Sequence, residues 1–170
     1  MKSLAFLLFF ALFGCGGGQT PRGRDYVVHV DPEYAAHGET MTVLGAFSLW
    51  DSKTPVKFHP VEGKCSFYEP HEICLRYSSL AEVALQTNSA KGVYDGFTQE
   101  YSDGDQQDGG TCYVAMDIAP WARQGTIAHE IGHAMGLEHH PGHHLMDASE
   151  DQNTALTVQP DDITQWWSLR

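Results

Sequence analysis

His129-Glu130-Ile131-Gly132-His133-Ala134-Met135-Gly136-Leu137-Glu138-His139 spells H-E-x-x-H-x-x-G-x-x-H with every specified position filled. A helix turns about 100° per residue, so His129 and His133 fall about 40° apart on one face, where both imidazoles can reach one ion. Glu130 stands on the flank of that face. Zinc at a catalytic site takes three protein ligands and keeps a fourth position open, so a ligand from beyond the helix is required, and His139 is the candidate. A straight helix would carry position 139 well round from the first two histidines. Gly136 can take a left-handed conformation that ends the helix and folds the chain back. On the opposite side Ile127, Ile131, Ala134 and Met135 make an apolar stripe for the core. The spacing predicts a catalytic centre with one zinc ion, and Glu130 beside it.

The chain of 170 residues opens on Met1-Lys2-Ser3, an apolar run from Leu4 to Phe13, and Gly14-Cys15. Such a run spans about 15 Å as a helix, half of a bilayer's hydrocarbon core of about 30 Å, so it reads as an export signal over residues 1–14. Leu12-Phe13-Gly14-Cys15 resembles the lipobox of bacterial lipoproteins, although Phe13 is bulkier than that box usually carries. Cys15 is therefore the expected lipid anchor, residues 15–25 a flexible tether, and residues 26–170 one domain with a full core. The expected location is the cell envelope, tethered to a bacterial membrane through that lipid, or the extracellular space if the signal is simply cut. A net charge of −12 excludes a general nucleic-acid binder, which needs clustered Lys and Arg. A monomer is expected.

Cys65, Cys74 and Cys112 remain once Cys15 is set aside. In an oxidising compartment three cysteines imply one bridge and one thiol, and Cys65 with Cys74 is the favoured pair because they lie close in sequence around a turn. Tyr26 to Val30, Val56 to Val61 and Ile73 to Tyr77 read as strands. Val43, Ala46, Phe47 and Trp50 give a helical stripe from about His37 to Asp51. Gly92 to Tyr101 reads as an edge strand, Ser102 to Gly110 as a loop, and Thr111 to Ile118 as a fifth strand. The helix of the histidines should begin near Gln124. A closing helix opens at Pro160-Asp161-Asp162, with Ile163, Trp166 and Trp167 on its inner face.

Asp103, Asp105 and Asp108 could bind calcium, and their spacing begins like an EF-hand loop; Val114 stands where that loop needs its last acid, so a plain acidic turn is an equal reading. His140, His143 and His144 read as solvated loop residues, and His29, His37, His59 and His71 as packing or surface residues.

These residues together resemble the matrixin-type metzincins, the family of the matrix metalloproteinase catalytic domains. The resemblance rests on His129 to His139, on Met146 in Leu145-Met146-Asp147, on Ala46 to Trp50 through Thr54 to Phe58, and on Asp161-Asp162-Ile163. It implies an α+β, zincin-like fold: a twisted five-stranded mixed sheet with two long helices, the active-site helix under a cleft, and a C-terminal helix. Met146 would be the apolar floor under zinc. The family's second zinc draws on histidines in segments matching Gly92 to Phe97 and Tyr113 to Asp117; neither stretch holds one here, so one zinc is expected. The family's latency motif, P-R-C-G-x-P-D, has no counterpart between Cys15 and Tyr26.

The function so implied is zinc-dependent endopeptidase activity on extended protein or peptide substrates, with Glu130 as general base. A surface lipoprotein that captures zinc, or an inactive scaffold of the same fold, are the readings from other classes. Glu130 separates them, because a scavenger needs ligands and no base.

Overall fold

The computed structural model describes residues 25–63, 65, 71–89, 94–103, 106–142, 145–147 and 157–169, with backbone only for 101–103 and 106–108. The signal, Cys15 and nearly all of the tether lie outside the described residues. Strand β1 (Asp25–Val30) takes in the last position assigned to the tether, one residue before the expected start at Tyr26. Its Tyr26 and Val28 are fully buried, the alternation expected of a strand with one face on the core.

Pro32 opens a single-turn helix α1 (Glu33–Ala36), and Gly38, at φ +76°, separates it from α2 (Thr40–Asp51). The helix expected from about His37 thus begins three residues later, at Thr40, after the left-handed turn that Gly38 takes without strain, and α1 lies outside the expected span. Val43, Ala46, Phe47 and Trp50 are its buried residues, as their spacing required.

Strand β2 (Lys57–Glu62) lies at one edge, largely exposed, with Pro60 inside it, a position tolerated where no further strand pairs. Strand β3 (Glu72–Ser78) is central and buries Ile73, Cys74 and Leu75 in succession. Helix α3 (Leu80–Thr87) was not expected from the apolar pattern, since Val83 is its only buried residue. Its signal was the cap: the Ser79 and Glu82 side chains each take the other's backbone N–H.

Strands β4 (Gly96–Asp103) and β5 (Gln106–Ala115) pair antiparallel, with Asp103 opposite Gln106. The loop expected over Ser102 to Gly110 is therefore a hairpin end, and β5 stops at Ala115 rather than Ile118. A backbone ladder asks nothing of its side chains, so Asp, Gln and Gly can fill an edge that needs no apolar face. The sheet order is β2-β1-β3-β5-β4, parallel except for β4 at the far edge. The molecule is α+β around this mixed five-stranded sheet.

Helix α4 (Pro120–Ala134) begins at a proline in its first turn, four residues before the expected Gln124. It packs against β4, β5 and α2. The Trp50 indole N–H donates to the Ala128 carbonyl at 2.9 Å in the buried seam between the two helices, and Arg123 pairs with Glu39 at the start of α2. Helix α5 (Pro160–Ser168) buries Trp166, while Trp167, expected inside, is exposed and lies against its neighbour. Among the described residues no helix is long and apolar enough to cross a membrane.

Trp50→Phe keeps most of the seam's volume and removes the indole donor. It should lower unfolding free energy by about 1–3 kcal/mol in chemical denaturation, the usual cost of a lost buried hydrogen bond with its small cavity.

Candidate metal centre

Helix α4 ends on a two-bond cap. The Leu137 N–H donates to Gly132 O at 3.0 Å and the Gly136 N–H to His133 O at 2.7 Å, with Gly136 at φ +86°. This reversal returns the chain past the helix end. The three Nε2 atoms then converge: His129 to His139 is 3.0 Å, His133 to His139 is 3.0 Å, and His129 to His133 is 3.1 Å. His129 is buried, His133 half-buried and His139 exposed, so the centre opens to solvent on the His139 side.

The outer ring nitrogens decide what those inner atoms can do. His129 Nδ1 lies 2.6 Å from the Leu145 carbonyl and His133 Nδ1 lies 2.8 Å from the Leu137 carbonyl. A carbonyl only accepts, so both Nδ1 atoms carry the proton and both Nε2 atoms present lone pairs. Lone pairs directed at one another across 3.0–3.1 Å repel, and a cation between them turns that repulsion into coordination. The three histidines are thus positioned to bind a metal ion. Burial, with smaller effects of the neighbouring rings, lowers His129 to about 3 and His133 to about 4; burial also lowers His139. All three stay neutral near pH 7, the form that ligates.

Glu130 leans away from the helix onto the edge strand β4. Thr98 Oγ1 lies 2.6 Å from Glu130 Oε2 and 2.9 Å from Glu130 O, and the buried Cys112 thiol lies 3.4 Å from that same carbonyl oxygen. Burial pushes the Glu130 carboxyl up to about 8; the Thr98 bond pulls it down and Glu100 pushes it further up. That environment favours the neutral carboxyl over the charged one. Glu100 of β4 also comes within 3.9 Å of His133 Nδ1.

Met146 is fully buried under α4. A Cβ at Gly132 would stand 3.0 Å from Met146 Cε and 3.0 Å from the Trp50 ring, so only glycine lets that thioether and that indole close on the helix between the two histidines. The Met146 backbone is held on both sides: its N–H donates to Asp162 Oδ1 at 3.3 Å and its carbonyl accepts from His140 N at 3.1 Å. Asp162 is wholly buried, caps α5 by accepting from Gln159 N at 2.7 Å, and lies 3.1 Å from His140 Nε2. His140 is therefore not the solvated loop residue that its neighbours suggested.

Cys65 and Cys74 form the disulfide, with Cα atoms 5.8 Å apart, and Cys112 is a buried free thiol. Cys74 sits within β3 rather than at a turn. His143, His144 and Asp105 lie outside the described residues, as do the side chains of Asp103 and Asp108, so the calcium reading has no structural counterpart here. His29 faces Glu72, His59 faces Asp25, and His37 stacks on Tyr77, in keeping with packing and surface roles. Sequence reasoning missed Gly96, Thr98 and Gly132, and gave Asp162 a place at the start of α5 without its contacts to Met146 and His140. The motif covers Gly132 with an unspecified position, and nothing local marks Thr98, whose partner is 32 residues away.

The buried imidazoles make a pH test. A histidine whose folded pKa is depressed leaves the unfolded chain to take up the proton first, so its contribution is intact above about 6.5 and is lost as pH falls toward the folded value. For His129 that window runs down to about 3. Denaturation of metal-free protein should show the stability of wild type falling relative to His129→Gln as pH drops through this range; a constant difference would contradict the burial of a neutral ring. Comparison with protein-family models and with curated proteins found no match to this chain.

Proposed function

We propose that this protein is a zinc-dependent endopeptidase of the metzincin type. The observation that carries the reading is the convergence of His129, His133 and His139 Nε2 atoms with the Glu130 carboxyl on the adjoining residue of the same helix. Three neutral imidazoles suit zinc, and a three-ligand set leaves an open position. Zinc held there supplies Lewis acidity toward water and toward a carbonyl oxygen.

The chain's own part is proton handling and positioning. Glu130 accepts a proton from water as it attacks the peptide carbonyl and returns that proton to the departing amine nitrogen, so the amide bond breaks with one water consumed. Burial supports this by holding the carboxyl's pKa up near neutrality. Strand β4 is the sheet edge beside α4, and an extended peptide can add to it through backbone hydrogen bonds, which gives recognition that depends little on sequence. Exposure of His139 gives the substrate a way in. Export and anchoring through Cys15 belong to the same reading and rest on the sequence of the first fifteen residues, as does the choice of peptides outside the cell as substrates.

Metal capture without turnover makes no use of a buried, oriented carboxyl at position 130, and for that reason ranks second. Purified protein loaded with zinc should cleave members of a peptide library, read by mass spectrometry, and lose that activity to a chelator. Glu130→Ala should keep its zinc and lose about 100-fold or more in kcat, the range attributed to general-base catalysis. Zinc bound without any cleavage would favour capture. Because zinc binds the folded state, its removal should also lower Tm, with the shift growing with free zinc concentration.

A further inference from the structure

We propose that Thr98 and Gly96 of β4 are positioning residues for Glu130: the hydroxyl orients the carboxylate and the bare α-carbon makes the space it occupies. This rests on the peptidase reading above. Alternate residues of a strand share a face, so Gly96 and Thr98 meet α4 together. A glutamate side chain on a helix has several free rotors, and a base that must meet water in one geometry has to be held in one of them.

Thr98 has one hydroxyl hydrogen and two acceptors in reach, Oε2 at 2.6 Å and the Glu130 carbonyl at 2.9 Å. The Cys112 thiol stands 3.4 Å from that carbonyl, and burial raises its pKa far above the usual thiol value, so it keeps its hydrogen. The carbonyl has a donor of its own, and the shorter Thr98 contact goes to the carboxylate. On the other side, a Cβ at Gly96 would stand 2.6 Å from Oε1 and 2.8 Å from Cγ of Glu130. Any side chain at position 96 displaces the carboxylate. Neither residue is part of the histidine cluster, so the pair acts on the base and not on the metal.

The test compares full-length, zinc-loaded wild type with Thr98→Val, Thr98→Ser and Gly96→Ala on a fluorogenic peptide taken from the library cleavage. Zinc content is measured alongside kcat and KM. Thr98→Val should hold one zinc per chain, keep KM within about twofold and lose about tenfold in kcat, part of the general-base contribution; Thr98→Ser should restore most of it. Gly96→Ala should show the same kcat loss with KM and zinc unchanged, and it decides the matter if Thr98→Val does not fold. Wild-type kcat in Thr98→Val or Gly96→Ala overturns the proposal, as does a loss confined to KM or to zinc content. A wild type that cuts no peptide overturns the peptidase reading and this proposal with it, whereas an active wild type matched by active variants overturns this proposal alone.

Discussion

Three imidazole Nε2 atoms lie within 3.0–3.1 Å of one another, and much of the surrounding structure bears on that convergence. Helical periodicity supplies two of the rings. The third needs the chain to reverse within a few residues, which Gly136 allows at φ +86°. Each buried ring then needs an acceptor for its outer N–H, and the Leu145 and Leu137 carbonyls provide them. The residues after α4 are thus fixed by the hydrogen-bonding needs of residues within it.

Close approach beneath the helix follows from the same demand. Met146 and Trp50 converge on Gly132, and Trp50 also bonds the Ala128 carbonyl. A glycine in a helix interior weakens it by about 1 kcal/mol relative to alanine. Here the missing side chain lets Met146 and Trp50 close on the helix between the two histidines. Asp162 extends the arrangement into α5, because one buried carboxylate serves the α5 cap, the Met146 N–H and His140 together.

Burial acts in opposite directions on the two kinds of titrating group. It lowers His129 and His133, favouring the neutral rings that can ligate, and raises Glu130, favouring its neutral carboxyl. A single low-polarity environment therefore sets the charge state of both kinds of group. Thr98 tempers the second effect by donating to the carboxylate, which ties the reactivity of a helix residue to a neighbouring strand.

Local repetition and spacing were enough to locate the histidines, Glu130, the buried stripe of α2 and the Cys65–Cys74 bridge, because each depends on residues near one another in the chain. The sequence also suggested most strands, through runs of apolar residues. It concealed α3, which buries little, and the β4–β5 hairpin end, whose polar residues join a backbone ladder without needing a core. Tertiary structure alone decided that Thr98 meets Glu130, that Gly96 and Gly132 must lack side chains, and that Asp162 secures Met146. Those relations join separate elements, and a contact across elements depends on how the sheet and helices dock, which no local pattern of residues encodes.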